Sequence, residues 1–306
     1  MQIVILDASY LQPQDKQALE KFGTLTTFGT NPPPDPQTLI NRLKDAEIVV
    51  NLWSFLTDEI ISALPKLRCI VTATVGVDKI DLDAAKKHHV TVVNCPGYNA
   101  QAVAEHTIGL ILAAARLTAQ SEQDIRKNLW QPDAYKGKEL QNKTLGIIGY
   151  GDIGKKVAEI ANKGFSMKVI YTDRNSSRED LELLLQSSDV ISVNAPLNNQ
   201  TRNLLSDQEF SLMKPGIILV NTGRGAIIDE KALVENLKSG KVFAAGLDVL
   251  SIEPMQNTDP LFSLPNVIIT PHIAWNSQES EAMLSKMVVE NVQAFVAGRP
   301  ANIVNA

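Results

Sequence analysis

The stretch Thr144-Leu-Gly-Ile-Ile-Gly-Tyr-Gly-Asp-Ile-Gly154 decides the fold. Leu145 to Ile148 is a short apolar run that reads as a buried strand, and Lys155-Lys-Val-Ala-Glu-Ile-Ala161 reads as the helix that follows. Between them Gly149, Gly151 and Gly154 stand in G-x-G-x-x-G spacing. Gly149 allows the tight turn, Gly151 lets the backbone approach a pyrophosphate, and Gly154 lets the helix pack closely on the strand. Phosphates would sit on the unpaired N–H groups at the helix start. A second apolar run, Lys168-Val-Ile-Tyr-Thr172, ends in Asp173. An acid at that distance accepts hydrogen bonds from the adenosine ribose and repels a 2′-phosphate, so the pattern points to NAD over NADP. Arg174, next to it, could accept a 2′-phosphate; with Asp173 present it reads as solvated or stacked on the adenine face.

Working outward, the first third alternates strand candidates at 3–6, 24–28, 48–51, 69–72 and 91–93 with helix candidates near 14–21, 35–44, 58–64 and 82–87. The Asn31-Pro-Pro-Pro-Asp-Pro36 cluster reads as a turn with a proline entry into the next helix. Alternation of this kind means a parallel sheet covered on both faces. This third has no glycine fingerprint of its own. A long helix candidate runs from about Ala100 to Lys127, as a connector or a subunit contact. Beyond the glycine loop, further strands are expected at 190–193, 217–220, 242–245 and 267–269. A last helix is expected from Ser277 to Ala297, stopped by Gly298 and Pro300. Its apolar stripe is Met283, Leu284, Met287, Val288, Val292, Phe295 and Val296.

At 306 residues, two domains are the default. A net charge of −5 without a Lys/Arg block argues against nucleic-acid binding. Cys69 and Cys95 have no CxxC partner and read as buried thiols in a reducing compartment. The four histidines, His88, His89, His106 and His272, show no metal-ligand spacing with them. The chain opens on a strand rather than a signal peptide. Its most apolar helix segment, Ile108 to Ala115, is too short to span a bilayer, so a cytoplasmic protein is expected.

Three segments place polar groups directly after expected strands, where ligands bind in open parallel sheets. In Val220-Asn-Thr-Gly-Arg-Gly225, Arg224 stands between two glycines, poorly placed for packing and well placed to offer a planar fork to a carboxylate. Gly246-Leu-Asp248 leads to Glu253-Pro254, and Thr270-Pro-His272 follows the last strand. Singly, each has a structural explanation. Together, downstream of a dinucleotide loop, they form a set for hydride chemistry: a substrate anchor, a proton donor and a carboxylate to orient it. A carboxylate beside His272 would orient the ring and favour its protonated form.

These motifs, with Val75-Gly-Val-Asp78, Ile80-Asp81 and Val103-Ala-Glu-His106, resemble the NAD-dependent D-2-hydroxyacid dehydrogenases over essentially the whole chain. The nearest branch is that of glycerate dehydrogenase and hydroxypyruvate (glyoxylate) reductase. The resemblance implies an α/β fold of two doubly wound Rossmann-like domains, with the NAD-binding domain, 99–275, inserted into a discontinuous substrate domain, 1–98 and 276–306. It implies that the last helix returns to the first domain, that a cleft closes between domains, and that the chain forms a homodimer. Arg224 would anchor a 2-oxo acid, His272 would be the general acid–base, and Glu253 would hold His272. Backbone N–H groups around Val75 and Gly76 would bind the substrate carboxylate. Asp248 would bind the nicotinamide carboxamide. Backbone at Asp152, Ile153, Thr222 and Arg224, with Val103, would contact NAD. Trp275 would either wall the substrate pocket or pack at the domain hinge. Glu253 stands where formate dehydrogenases carry glutamine. Asn194, in Val193-Asn-Ala-Pro-Leu197, departs from the histidine of many members. The competing class is an NAD-sensing scaffold of the C-terminal-binding corepressor type; within the enzymes, D-lactate and D-3-phosphoglycerate are alternative substrates.

Overall fold

The computed structural model describes residues 1–29 and 35–306. Positions 31–34 of the proline cluster lie outside the described residues. Its end is described: the Asp35 carboxylate accepts the Thr38 N–H and caps the helix Pro36–Leu43, which has proline in its first turn.

The chain divides into two compact units. The first comprises Met1–Asn99 and Asn276–Ala306. Its sheet holds β1 (Gln2–Ile5), β2 (Thr24–Thr27), β3 (Ile48–Asn51), β4 (Cys69–Thr72) and β5 (Thr91–Val93), all parallel, in the order β2-β1-β3-β4-β5. β3 and β4 are buried along their whole length, as strands covered on both faces must be. The helix Gln278–Val296, capped by Ser277, completes this unit. Its buried face is Ser280, Leu284, Ser285, Val288, Asn291 and Val292, and Met283, expected inside, is 50% exposed. Polar anchors set that rotation. Ser285 accepts the Gln12 N–H at 2.9 Å and donates to Asp15, and Asn291 donates to the Asn94 carbonyl.

The second unit is one continuous piece, Ala100–Trp275. Its six parallel strands are β6 (Thr144–Ile148), β7 (Lys168–Thr172), β8 (Val190–Val193), β9 (Ile217–Asn221), β10 (Val242–Leu247) and β11 (Val267–Ile269), in the order β11-β10-β9-β8-β6-β7. Strand order reverses between β6 and β8, the crevice where such sheets bind ligands. The register aligns one transverse row, Thr172–Ile148–Val193–Asn221–Leu247–Ile269, across the whole sheet. Gly149, Asp173, Asn194, Thr222, Asp248 and Thr270 are the residues immediately after that row, so all of them leave the sheet at its carboxyl edge.

The single long helix expected from 100 to 127 is instead two, Ala100–Arg116 and Thr118–Arg126, bent by 66° at Leu117, whose φ is 54°. The cause lies downstream. The Lys138 N–H donates to the Ala115 carbonyl at 2.7 Å, and a Cβ on Gly137 would meet that same carbonyl oxygen at 2.6 Å. The returning chain thus claims a carbonyl at the helix end. The first helix buries nine residues, including Val103, Thr107 and Ile111; the second buries none. No single helix among the described residues is long and apolar enough to cross a bilayer.

Candidate active site

The glycine loop separates glycines the protein's packing requires from one that borders open space. Gly149 has φ +99°, and a Cβ there would meet the Ala195 N at 2.5 Å. A Cβ on Gly154 would overlap the Gly149 carbonyl oxygen. A Cβ on Gly151 would meet nothing within 4 Å. Two glycines are therefore demanded by the protein's own packing, whereas Gly151 borders open space. Gly151 is also the N-cap of the helix Asp152–Phe165, and no side chain caps that helix start. The N–H groups there, with Asp152 and Ile153 as the first helical residues, are available to a pyrophosphate. Asp173 follows β7 and is exposed; its Oδ1 accepts from the Asn175 N–H at 2.8 Å and from Ser176. Arg174 beside it is exposed.

A chain of hydroxyls and amides fixes the loops after β8 and β9. Thr107 donates to the Val103 carbonyl at 2.7 Å, so the 2.8 Å bond between Thr107 and Thr222 takes the Thr222 proton. Thr222 in turn accepts from Asn194 Nδ2, and Asn194 Oδ1 accepts from Ser192. Asn194 thereby braces the loop that packs on Gly149. Val103 is 4% exposed, so the cofactor contact expected of it has little open surface to rest on.

After β9, Asn221 shapes the turn that presents Arg224. Its side chain accepts the Gly223 N–H and donates to the Arg224 carbonyl, both at 3.0 Å. Gly225 is required because a Cβ would overlap the Leu250 backbone. Arg224 is half-buried, and its Nη1 donates to the Gly223 carbonyl at 2.9 Å. After β10, Glu253 Oε1 accepts the Leu250 N–H at 3.0 Å, which points Oε2 at His272: Nδ1 lies 2.8 Å away. His272 has φ 55°, a left-handed conformation that few non-glycine residues adopt.

Asp248, 1% exposed, organises that strained turn. Its backbone carbonyl accepts the His272 N–H at 2.9 Å. Its Oδ1 accepts from the Thr270 hydroxyl at 2.5 Å and the Ile273 N–H at 2.9 Å, and its Oδ2 accepts the Ala274 N–H at 2.9 Å. The carboxylate that the resemblance assigns to the carboxamide thus has a prior task in its own unit. Trp275 donates its indole N–H to the His272 carbonyl at 3.0 Å. His106 Nε2 reaches Thr270 Oγ1 at 3.1 Å and Asp248 Oδ1 at 3.5 Å.

In the first unit, the loop after β4 carries Val75 and Gly76. Three successive carbonyls there are taken: Thr74 O by the Cys95 N–H, Val75 O by Asn94 Nδ2, and Gly76 O by the Thr74 hydroxyl. Among the described residues no group of three His, Cys, Asp or Glu side chains is placed to hold a metal ion.

The second unit therefore gathers Arg224, Asp248, Glu253, His272 and the glycine loop along one sheet edge. Sequence reasoning gave no task to Asn221, Thr270 or His106. Asn221 was signalled by its place at a strand end before a glycine turn; His106 stood in a motif of the resemblance, but that motif gives no hint of its partner, which lies 164 positions away.

Residues 108–274 match the model of the D-isomer specific 2-hydroxyacid dehydrogenase NAD binding domain. A glyoxylate reductase of Aeropyrum pernix is 39% identical, covering 96% of this chain and 93% of its own length. A hydroxypyruvate reductase of Blautia hydrogenotrophica is 35% identical over the full length of both. An acyclic imino acid reductase solved with NADPH and D-Arg superposes with a TM-score of 0.91 at 34% identity, covering 99% of this chain and 100% of that one. The chain is an oxidoreductase with an NAD-binding domain, and it belongs to the D-isomer specific 2-hydroxyacid dehydrogenase family.

Proposed function

We propose that the protein reduces glyoxylate or hydroxypyruvate to the D-2-hydroxy acid with NADH, reversibly. The single observation that carries this reading is the His272–Glu253 pair at 2.8 Å, set on the same sheet edge as Arg224 and the glycine loop. Held by the glycine loop and Asp173, NADH would supply the hydride for the carbonyl carbon. With Nδ1 held by Glu253, His272 Nε2 gives its proton to the carbonyl oxygen, and in the reverse direction takes it back. Arg224 offers its fork to the substrate carboxylate and carbonyl oxygen. The pinned carbonyls around Val75 and Gly76 support those backbone N–H groups as the first unit's carboxylate site. Exposed Asp173 supports NAD over NADP, with Arg174 as the counterweight. Trp275 braces the His272 turn through its indole bond, and a wall for the substrate side chain is the second use of the same ring.

Rates at 340 nm with glyoxylate, hydroxypyruvate and pyruvate, each with NADH and with NADPH, test this. The expected result is the highest kcat/KM for one of the first two with NADH. A preference for pyruvate would move the substrate, and no turnover with any 2-oxo acid would favour a scaffold. Turnover that appears only with added ammonium would favour imine reduction, the activity named for the structural relative.

We also infer a cytoplasmic homodimer. Free, buried Cys69 and Cys95 suit a reducing compartment. A helix with no buried residue, Thr118–Arg126, followed by Trp130 at 82% exposure, suits a contact with a second copy. Light scattering at micromolar concentration gives twice the chain mass if this holds and the chain mass if it does not.

A further inference from the structure

No catalytic or cofactor role above uses His106. It sits on the helix Ala100–Arg116, half-buried, with Nε2 at 3.1 Å from Thr270 Oγ1 and 3.5 Å from Asp248 Oδ1. Proton counting fixes what it does there. A threonine hydroxyl has one proton, and Thr270 gives it to the Asp248 carboxylate at 2.5 Å. Thr270 Oγ1 can then only accept from His106. The ring must therefore carry its proton on Nε2, and His106 is a donor aimed at a hydroxyl whose own proton is committed.

The same hydroxyl and carboxylate carry the His272 turn. The Asp248 carboxylate accepts the Ile273 and Ala274 N–H groups and its backbone carbonyl accepts that of His272, whose backbone is left-handed. A conformation of that kind persists only where its surroundings over-determine it. Asp248 and Thr270 do so from the sheet edge, and His106 is the brace that reaches them from the helix. We propose that His106 is a positioning residue for catalysis: its Nε2–H fixes Thr270 and Asp248, and through them the place of His272 relative to Glu253. This rests on His272 being the acid–base of the reaction.

The outcome follows from geometry. A turn that relaxes by a fraction of an ångström still binds substrate and cofactor, but it misplaces the proton donor at the transition state. His106→Ala is expected to lower the single-turnover rate of NADH oxidation about ten- to hundredfold. KM and the NADH dissociation constant, the latter read by NADH fluorescence, are expected to stay within about twofold, the signature of an interaction that matters at the transition state. His106→Gln, whose amide N–H reaches about as far as Nε2–H, recovers at least about a third of the rate, and His106→Leu does not. Thr270→Val reproduces the loss and Thr270→Ser reverses it. In a His272→Ala background the His106→Ala change adds less than about twofold, because the group being positioned is gone.

Wild-type rates in folded His106→Ala would overturn the proposal. So would a loss carried by KM, no recovery with glutamine, or additive losses in the double variant. Should His106→Ala fail to fold, the Thr270→Val and Thr270→Ser pair decides by the same rate criterion. If His272→Ala keeps full turnover, the active-site reading itself fails; if His272→Ala is inactive while His106→Ala is not, only the positioning role fails.

Discussion

His272, the acid–base of the proposed reaction, also carries a left-handed backbone, and its substitution is the most direct test of the proposal. His272→Ala is expected to cost about two to four decades of kcat, with NADH affinity unchanged, because the glycine loop that would hold the cofactor's phosphates follows β6, away from the strand that leads to His272. A fluorescence titration with NADH alongside the rate separates the two effects. Glu253→Gln keeps an oxygen for His272 Nδ1–H and removes the carboxylate charge beside the ring. The reduction rate at fixed pH should accordingly fall by about one to two decades while NADH affinity stays the same, read from kcat/KM and a fluorescence titration; an unchanged kcat/KM would make Glu253 a structural residue. The placement of Arg224, Glu253 and His272 after successive strands was legible as sequence because the strand runs before them are near-continuously apolar. The partner of His106 was not legible, although its motif was. A histidine on a helix says nothing of a hydroxyl on a strand end far along the chain, and only the fold supplies that neighbour.

At the scale of elements, the three glycines separate two demands that sequence spacing merges. Gly154→Ala forces a methyl against the Gly149 carbonyl and Ile147, so it should lower the melting temperature by several degrees, at about 2–4 °C per kcal/mol for a domain of this size. Gly151→Ala places its methyl in open space within the protein. It should leave the melting temperature alone and weaken NADH binding, which calorimetry with and without NADH resolves. The helix Asp207–Leu212 offers a pH test. Burial alone would push the Glu209 carboxyl up, but bonds from Ser206 and Arg178 outweigh it and hold Glu209 below its ordinary 4.5. A depressed carboxyl contributes stability above its unfolded value and loses it as pH falls. Denaturation midpoints from pH 6 down to pH 3 should therefore decline, and Glu209→Gln should start lower by about 1–3 kcal/mol and decline less. The break at Leu117 shows why element lengths were harder to foresee than their existence. Periodicity carried the helix through to Lys127, and the Gly137–Lys138 segment ended it. Likewise Ser285 and Asn291 look solvent-facing in sequence, yet they are buried and bonded, and they turn Met283 outward.

At the scale of the whole molecule, the two sheets were readable as alternation, and the insertion of one unit into the other followed from the family resemblance. The first boundary falls at Asn99, one residue past the expected one, because the next helix begins at Ala100. The continuous unit carries its own core, built around β6, β8, β9 and β10. Expressed alone, 100–275 is expected to melt cooperatively and to bind NADH, whereas 1–99 alone is expected to lack a melting transition; circular dichroism of the two fragments checks both. The reason is the helix Gln278–Val296, whose Leu284, Val288 and Val292 lie fully buried in the first unit. A ribosome making this chain delivers the five strands of the first sheet before the whole second unit, and the helix Gln278–Val296 only after it. Until that helix emerges, the first unit lacks the cover that Leu284, Val288 and Val292 supply, and it is there that nascent-chain chaperones would have their longest hold.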